Sequence, residues 1–518
     1  TAAPAPSTRP SARPPAGPRY IATLRATVDP RHLINFAGLG NFAIFVDYSR
    51  FMVRLYIFSL FFVVCNVVCA ATLEVSPGRL CELVGGSDDI DELILTGSAD
   101  ASDFYFLVES MPALRRLDIG GLTIMPYYGK AIGGCESFEG ALVPAVVFAG
   151  SSLRELVLPA GVRVGDFAFS GSALRSVAVG DGAELMSGAF SNCEYLSDLS
   201  LGRCVAVGDA AFQACASLSA VNLNGALRVG DAAFAACASL ERVDGAEALC
   251  KIGSRAFMGC VSLSSFEFGA ALSEIGEYAF SESGLEEADL SACAALKHVG
   301  GWIMSGSASL ASAAFYEGLA DIGTGVLFGC SALCDVKLPQ SLASLQNYAL
   351  ANASSLCAVE LPAALAEIGD SAMEGAAALR AIDAAGLSAV PVTGADVWRG
   401  VPQSEVVLSV GENMAQAFSC ADQWREFSIN EVPAGIGSLD KAESNIAISF
   451  SGESLLVESA TAELALVELF NMEGVLLMRA SVSGHRAVVD TEPLGGSLFI
   501  VRCECADGTH STAKFARL

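Results

Sequence analysis

Histidine is scarce, with four in 518 residues, and only His298, His485 and His510 lie beyond residue 71. They are scattered, His298 beside the Val299-Gly300 turn signal, and the chain contains no H-E-x-x-H, G-x-S-x-G or Walker-type loop. This gives no support to metalloprotease, serine-hydrolase or nucleotide-hydrolysing chemistry. Adjacent carboxylates such as Glu286-Glu287 supply no acid/base geometry by adjacency alone. Basic residues are few as well: 30 Lys and Arg face 57 Asp and Glu, for a net charge of −27. Such a chain repels phosphate backbones, so no nucleic-acid partner is expected. Charged residues make up 17% and hydrophobic ones 53%, which excludes a largely disordered chain.

What the chain has in abundance is a repeat. VGDAAFQACASLSAVNL, from Val207 to Leu223, returns at once as VGDAAFAACASLERVDG, from Val229 to Gly245. The Phe of this unit can be followed through Phe148, Phe169, Phe190, Phe212, Phe234, Phe257, Phe280, Met304, Phe328, Leu350, Met373 and Trp398. The step, about 21 to 25 residues, lies in the leucine-rich-repeat range. A Leu follows five or six positions later, then a short alternating L-x-x-V-x-L segment that reads as a half-buried strand. An Ile/Val-Gly pair precedes the Phe, and its Gly is expected to permit a tight or left-handed turn.

A unit this short cannot bury its own apolar residues, so units must stack into a solenoid with parallel strands about 4.8 Å apart. The residue between the Val and the second Leu points to solvent: Ser200, Asn222, Asp244, Glu267, Asp289, Lys337, Glu360 and Asp383. With Glu241, Glu286 and Glu287 this makes an acidic stripe. It reads either as a solvated surface or as a binding face.

Seventeen cysteines in an exported chain would ordinarily suggest disulfides. Cys193, Cys215, Cys237 and Cys260, however, each stand three residues after a Phe, in a slot that also takes Ser172 and Ser283. That favours buried free thiols, with bridges between rungs as the alternative. Cys330/Cys334 and Cys503/Cys505 lack the second pair of a zinc site, and Asp88, Asp89, Asp91 and Glu92 lack the spacing of an EF-hand loop. They read as a charged cap over the first rung, and no metal or other cofactor is expected.

Residues 1–51 are Pro/Ala/Arg-rich and read as a non-native or disordered extension. Met52 to Ala71 reads as a signal peptide with cleavage near Ala70 or Ala71. A signal anchor is the rival, although its apolar run is short of the roughly 20 residues a span needs. There follow a cap with atypical repeats at 72–140, repeats at 141–400, a closing cap at 401–432, a linker at 433–445 and, at 446–518, short apolar segments with turn punctuation that suggest a β-sandwich. The fold class is therefore an α/β-type solenoid, with a parallel β ladder and short turns or helices, followed by a small all-β sandwich.

The repeat I-G-x-x-A-F-x-x-C-x-x-L-x-x-V-x-L resembles that of BspA-like leucine-rich-repeat surface proteins. The flanks Asp91 to Ile119 and Val401 to Val432 resemble that family's opening and closing segments. VELFNMEGVLLMRA (Val467 to Ala480), LGGSLFIVRCECADG (Leu494 to Gly508) and AKFARL (Ala513 to Leu518) resemble the C-terminal sorting domain of type IX secretion, departing from it where Ser497 and Leu498 stand around Gly496 and Phe499. The two resemblances imply display on, or release from, a Gram-negative cell and contact with the type IX machinery. They also imply adhesion to host or neighbouring-cell proteins, extracellular-matrix glycoproteins among them. A non-adhesive structural element of the envelope is the alternative, and an enzyme scaffolded on repeats a more distant one.

Overall fold

The computed structural model describes residues 70–85, 89–203, 206–432, 446–451, 454–459, 463–470, 476–482, 484–490, 498–506 and 510–516. The extension, the signal segment before Ala70, the linker 433–445, Asp88, Leu494 to Ser497 and the last two residues of AKFARL lie outside them.

From Leu142 to Thr393 the chain winds as a parallel solenoid whose turns build two ladders of short parallel strands, each divided into more than one sheet, and Leu263 to Phe268 forms no strand. The L-x-x-V-x-L segments form one, as in Ala220–Asn222 against Arg242–Asp244, with Val221 opposite Val243. The second was not expected. The Val or Ile of every Val/Ile-Gly pair but Ile322-Gly323 belongs to a two-residue strand, and eight strands at this point of the turn, from Leu142–Val143 to His298–Val299, pair in unbroken succession. His298 therefore stands in a strand rather than at a turn.

Helix is nearly confined to the ends, at Leu80–Val84, Ala101–Ser110 and Ala415–Cys420. The α/β expectation overstated it, for a reason visible in the backbone. Around each Phe slot, the residues two before and two after adopt positive φ: Ala210 and Ala214 around Phe212, Ala232 and Ala236 around Phe234, Arg255 and Gly259 around Phe257. A left-handed residue ends a right-handed helix, and two of them four positions apart leave it no length. The turn instead sends hydrogen bonds to the next rung. The N–H of Phe212 donates to the carbonyl of Ala233 and that of Phe234 to Ala256, both at 2.8 Å.

The same ladder corrects one slot. Met304 donates to Val326, and Leu327 donates to Ala349. Gly325 and Gly329 carry the positive φ values, and Leu327 is fully buried. The slot is Leu327, and Phe328 stands beside it half-exposed.

The glycine of the Val/Ile-Gly pair is needed for closeness, not handedness. Among Gly165, Gly208, Gly230, Gly253, Gly276, Gly300, Gly323 and Gly369, only Gly323 has a positive φ. A Cβ on Gly230 or Gly253 would come within 2.5 Å of an atom of the preceding rung. These glycines let successive backbones approach.

Inside, the Phe rings from Phe148 to Phe280 stack with centroids 5.1 to 5.5 Å apart and planes within 11°. Each buried Phe contributes about 1.5–3 kcal/mol of transfer free energy. The cysteine slot lies beside them. Cys193, Cys215, Cys237, Cys260 and Cys330 are buried and unbridged, and each thiol lies 3.2 to 3.3 Å from the carbonyl of the preceding rung's Phe slot, as donor. Ser307 does the same toward Phe280 at 3.0 Å. A small side chain with one donor is what the slot requires, hence its mixture of Cys and Ser.

The ends are closed differently. At the start, the buried Asp103 carboxylate accepts from the N–H groups of Gly78, Leu80 and Asp100, tying two helices together. At the close, Trp398, Phe418, Trp424 and Phe427 pack with centroids 5.0 to 5.9 Å apart.

Residues 446–516 form two antiparallel sheets, one of Ile446–Ser451, Ser454–Ser459 and Arg486–Asp490, the other of Leu464–Phe470, Leu476–Ser481, Leu498–Cys505 and His510–Ala516. Leu455, Val457 and Val489 from the first share one buried cluster with Val467, Leu469, Val501 and Cys503 from the second. The strand His510–Ala516 was not anticipated.

Candidate binding face

The outward positions of the L-x-x-V-x-L strands are set by alternation: Val221 and Val243 face the core, so Asn222 and Asp244 face away. Glu241, Asp244, Glu267, Glu286, Glu287, Asp289, Lys337 and Glu360 are all exposed. Asp383 is only half-buried into the face, and its carboxylate accepts from Ala385 N–H at 3.1 Å. The stripe is also interrupted, because Asp289 pairs in register with Ala314, and only then comes Lys337.

Several of these side chains have local work. Asp289 accepts from Ser291 N–H at 2.9 Å, as Asp118 does from Gly120 and Asn222 from Asn224. Asp and Asn at this point form the turn that ends the strand. The hydrogen bonds from Ser291, with a smaller contribution from Lys337, hold the Asp289 carboxyl below the usual carboxylate range. Asp244 pairs with Arg242 at 2.9 Å, and Glu360 accepts from Gln340 at 2.9 Å. Among the described residues, Glu241, Glu267, Glu286 and Glu287 have no ion-pair partner, and they are the part of the stripe open to a ligand.

The sequence reading missed the charge at the other end of this face. The column containing Glu241 and Glu286 begins with Arg115, Arg154 and Arg175, each linked to the preceding one by a backbone hydrogen bond of 2.6 to 2.7 Å. Arg154 and Arg175 are exposed. The signal was present in the residue after each first Leu, as in Leu153-Arg154 and Leu174-Arg175. Along this column the charge changes from basic in the first rungs to acidic in the middle, while Glu155 and Asp198 stand exposed beside its basic end.

A second set of carboxylates, on the other sheet, is structural. Asp209 accepts from Asp231 N–H, Asp231 from Ser254 N–H and Asp370 from Ala395 N–H, at 2.7 to 2.9 Å. These are the Asp residues of the V-G-D and I-G-D triplets. They hold rung to rung and face no ligand site.

Burial pushes the Cys237 and Cys330 thiols up to about 12 and Cys260 well above its ordinary value, which keeps these three protonated and unreactive, whereas the hydrogen bond with Cys215 holds Cys193 below its ordinary value. Among the described residues, no group of three or more His, Cys, Asp or Glu could hold a metal ion. In the opening acidic segment Glu92 instead faces Arg116 at 3.2 Å. No helix among the described residues is long and apolar enough to cross a membrane. Ala70 and Ala71 begin the strand Ala70–Val75, which pairs with Glu92–Gly97, so cleavage there would leave Thr72–Val75 in place.

The model of the BspA type leucine rich repeat region matches in six copies over residues 142–250, 227–324 and 250–380. The match spans residues 142–380, a little under half of the chain. The chain shows similarity to a leucine-rich repeat protein from Bacteroides ovatus ATCC 8483, at 19% identity over 65% of this chain and 84% of that one, with a TM-score of 0.42. A leucine rich cell surface protein from Faecalibacterium prausnitzii A2-165 is similar at 16% identity over 61% and 87%, with a TM-score of 0.29. The pneumococcal vaccine antigen PcpA is similar at 14% over 59% and 87%, with a TM-score of 0.33. No curated protein matches the chain significantly.

Proposed function

We propose that this chain is a secreted or surface-displayed bacterial protein whose strand face binds macromolecules of a host or neighbouring cell, matrix glycoproteins being the expected class. The observation that carries the reading is the polarised face itself. Arg154 and Arg175 at one end and Glu241, Glu267 and Glu286 in the middle are exposed at or beside the stacked strands, a surface on which charge selects and orients a partner. BspA-type repeats support surface display. In the same reading residues 446–518 are a small β-sandwich that the type IX machinery recognises, supported by two antiparallel sheets around one core. Catalysis forms no part of the proposal.

The test is capture of the full chain on immobilised matrix glycoproteins and mucin, beside the variant E241K/E267K/E286K. Capture that is lost in the variant, with an unchanged melting temperature, supports the reading. Equal capture by both rejects the strand face, and no capture on any surface favours a structural element of the envelope.

A further inference from the structure

Two cysteines outside the buried column stand at the same point of consecutive rungs. Cys334 and Cys357 each follow the first Leu of a strand segment, in Leu333-Cys334 and Leu356-Cys357, the column that also holds Arg154, Arg175, Glu241 and Glu286. Cys334 is exposed, Cys357 half-buried, and both are unbridged. On the turn side the two rungs are joined by the Leu327 N–H, which donates to the Ala349 carbonyl at 2.9 Å. The Ser354 hydroxyl donates to the Ser331 carbonyl at 3.3 Å, three residues before each cysteine, and Ser344 pairs with Glu367 ten residues after. The same offset on both sides sets Cys334 opposite Cys357.

The pair also marks a joint in the array. Asp335–Lys337 is the last strand of one sheet and Ala358–Glu360 the first of the next, so no strand pairing joins the two rungs here. At the earlier joint, between Asp198–Leu201 and Ala220–Asn222, the same column holds Ser197 and Ser219, which cannot be bridged. Rungs one strand spacing apart hold equivalent Cα atoms about 4.8 Å apart, inside the roughly 4.4–6.8 Å over which a disulfide closes. The Cys334 thiol lies 3.3 Å from the Ala311 carbonyl, toward the preceding rung, as donor. Turning it about χ1 toward Cys357 gives up that one bond at an exposed residue and moves no core side chain.

From this placement we infer that Cys334 and Cys357 are an oxidation site, which a low-molecular-weight disulfide converts to an inter-rung bridge that staples the joint. One cysteine, as thiolate, attacks the small disulfide, forming a mixed disulfide and releasing one small thiolate. The second thiolate then attacks the protein sulfur of that mixed disulfide, closing the Cys334–Cys357 bond and releasing the other. The reagent takes up both electrons, and the two protons given up by the cysteines end on the released thiols. No other pair among the described residues fits. Cys250 has Leu227 and Ser273 as its neighbours in adjacent rungs, Cys81, Cys135 and Cys420 lie on separate elements, and the remaining described cysteines are buried. The site stands or falls independently of the partner-binding reading.

The experiment starts from the full chain, reduced and then freed of reductant. It is incubated with oxidised glutathione, its remaining thiols are alkylated with iodoacetamide, and it is mapped without reduction, beside the variants C334S and C357S. Both variants are expected to fold, because Ser197 and Ser219 already occupy the column, and melting temperatures equal to that of the reduced parent check this. Alkylation of Cys334 should fall about tenfold or more in the parent, with Cys334 found cross-linked to Cys357, and dithiothreitol should restore it. In C357S, Cys334 should carry glutathione instead. The bridged protein should melt at or above the temperature of the reduced one, since the bridge constrains the unfolded chain. Glutathione left on Cys334 of the parent, a Cys334 that stays open to alkylation, a cross-link to any other cysteine, bridging only in urea, or a lower melting temperature would each overturn the inference.

Discussion

The core slot of the array's first half is filled by aromatic rings, and that of its second half, until Trp398, is filled by Met and Leu. From Phe148 to Phe280 the core slot is an unbroken stack of Phe; after it the slot holds Met304, Leu327, Leu350 and Met373, while Trp302, Phe328 and Tyr348 sit on or near the surface. Yet the turn is the same in both halves. Tyr348 and Asn352 bracket Leu350 with the positive φ values that Ala210 and Ala214 give Phe212, and Leu350 donates to Ala372 at 2.8 Å as Phe212 does to Ala233. The rung is therefore defined by its turn and its inter-rung hydrogen bonds, and the core slot asks only for an apolar side chain of suitable bulk.

The sharpest way to break this equivalence is to empty one slot in each half. Phe234→Ala should cost about 3–5 kcal/mol and Leu350→Ala about 2–5 kcal/mol, read from urea unfolding of each variant. A large loss in the first half with almost none in the second would mean that the Leu/Met half is not held by the same core.

Next in size comes the backbone contact that both halves share. Gly253→Ala places a Cβ within 2.5 Å of the Gly230 carbonyl carbon and should cost about 1–3 kcal/mol. Gly259→Ala, at a left-handed position where a Cβ meets nothing closer than 3.7 Å and where Ala236 already stands one rung earlier, should cost about 1 kcal/mol. Thermal melts of the two order them, and a reversed order would refute close approach as the role of the Val/Ile-Gly glycine.

The smallest effect concerns the thiols. Cys237→Ser keeps a donor for the Phe212 carbonyl, whereas Cys237→Ala loses it, at about 1 kcal/mol. Iodoacetamide on the native protein should label Cys81, Cys135, Cys334 and Cys420 and spare Cys193, Cys215, Cys237, Cys260 and Cys330. Ladder thiols that label in the folded state, or that prove bridged by mass, would contradict the packing.

The repeat, its parallel strands and the buried cysteine slot were legible because each is a residue type recurring at one spacing. The second sheet was not, since two-residue strands such as Arg228–Val229 carry no alternation to read. Leu327 was mistaken for Phe328 because Val326-Leu-Phe offers two neighbouring apolar candidates, and only the φ values of Gly325 and Gly329 decide between them. The acidic stripe was legible as composition. Its gaps were not, because Ala314 and the half-buried Asp383 depend on register, and the turn-forming role of Asp289 depends on a backbone N–H two residues on. The stacking of Tyr278, Trp302 and Tyr348 was hidden because they fall at a position whose outward direction comes from a left-handed backbone.

The most direct test of a rung defined by its turn is the paired comparison of Leu327→Ala with Phe328→Ala in equilibrium unfolding. The structure predicts a loss of about 2–5 kcal/mol for Leu327→Ala and under 1.5 kcal/mol for Phe328→Ala, whose ring is only half-buried. The reverse order would place the aromatic residue in the core and contradict the register on which both faces of the array depend.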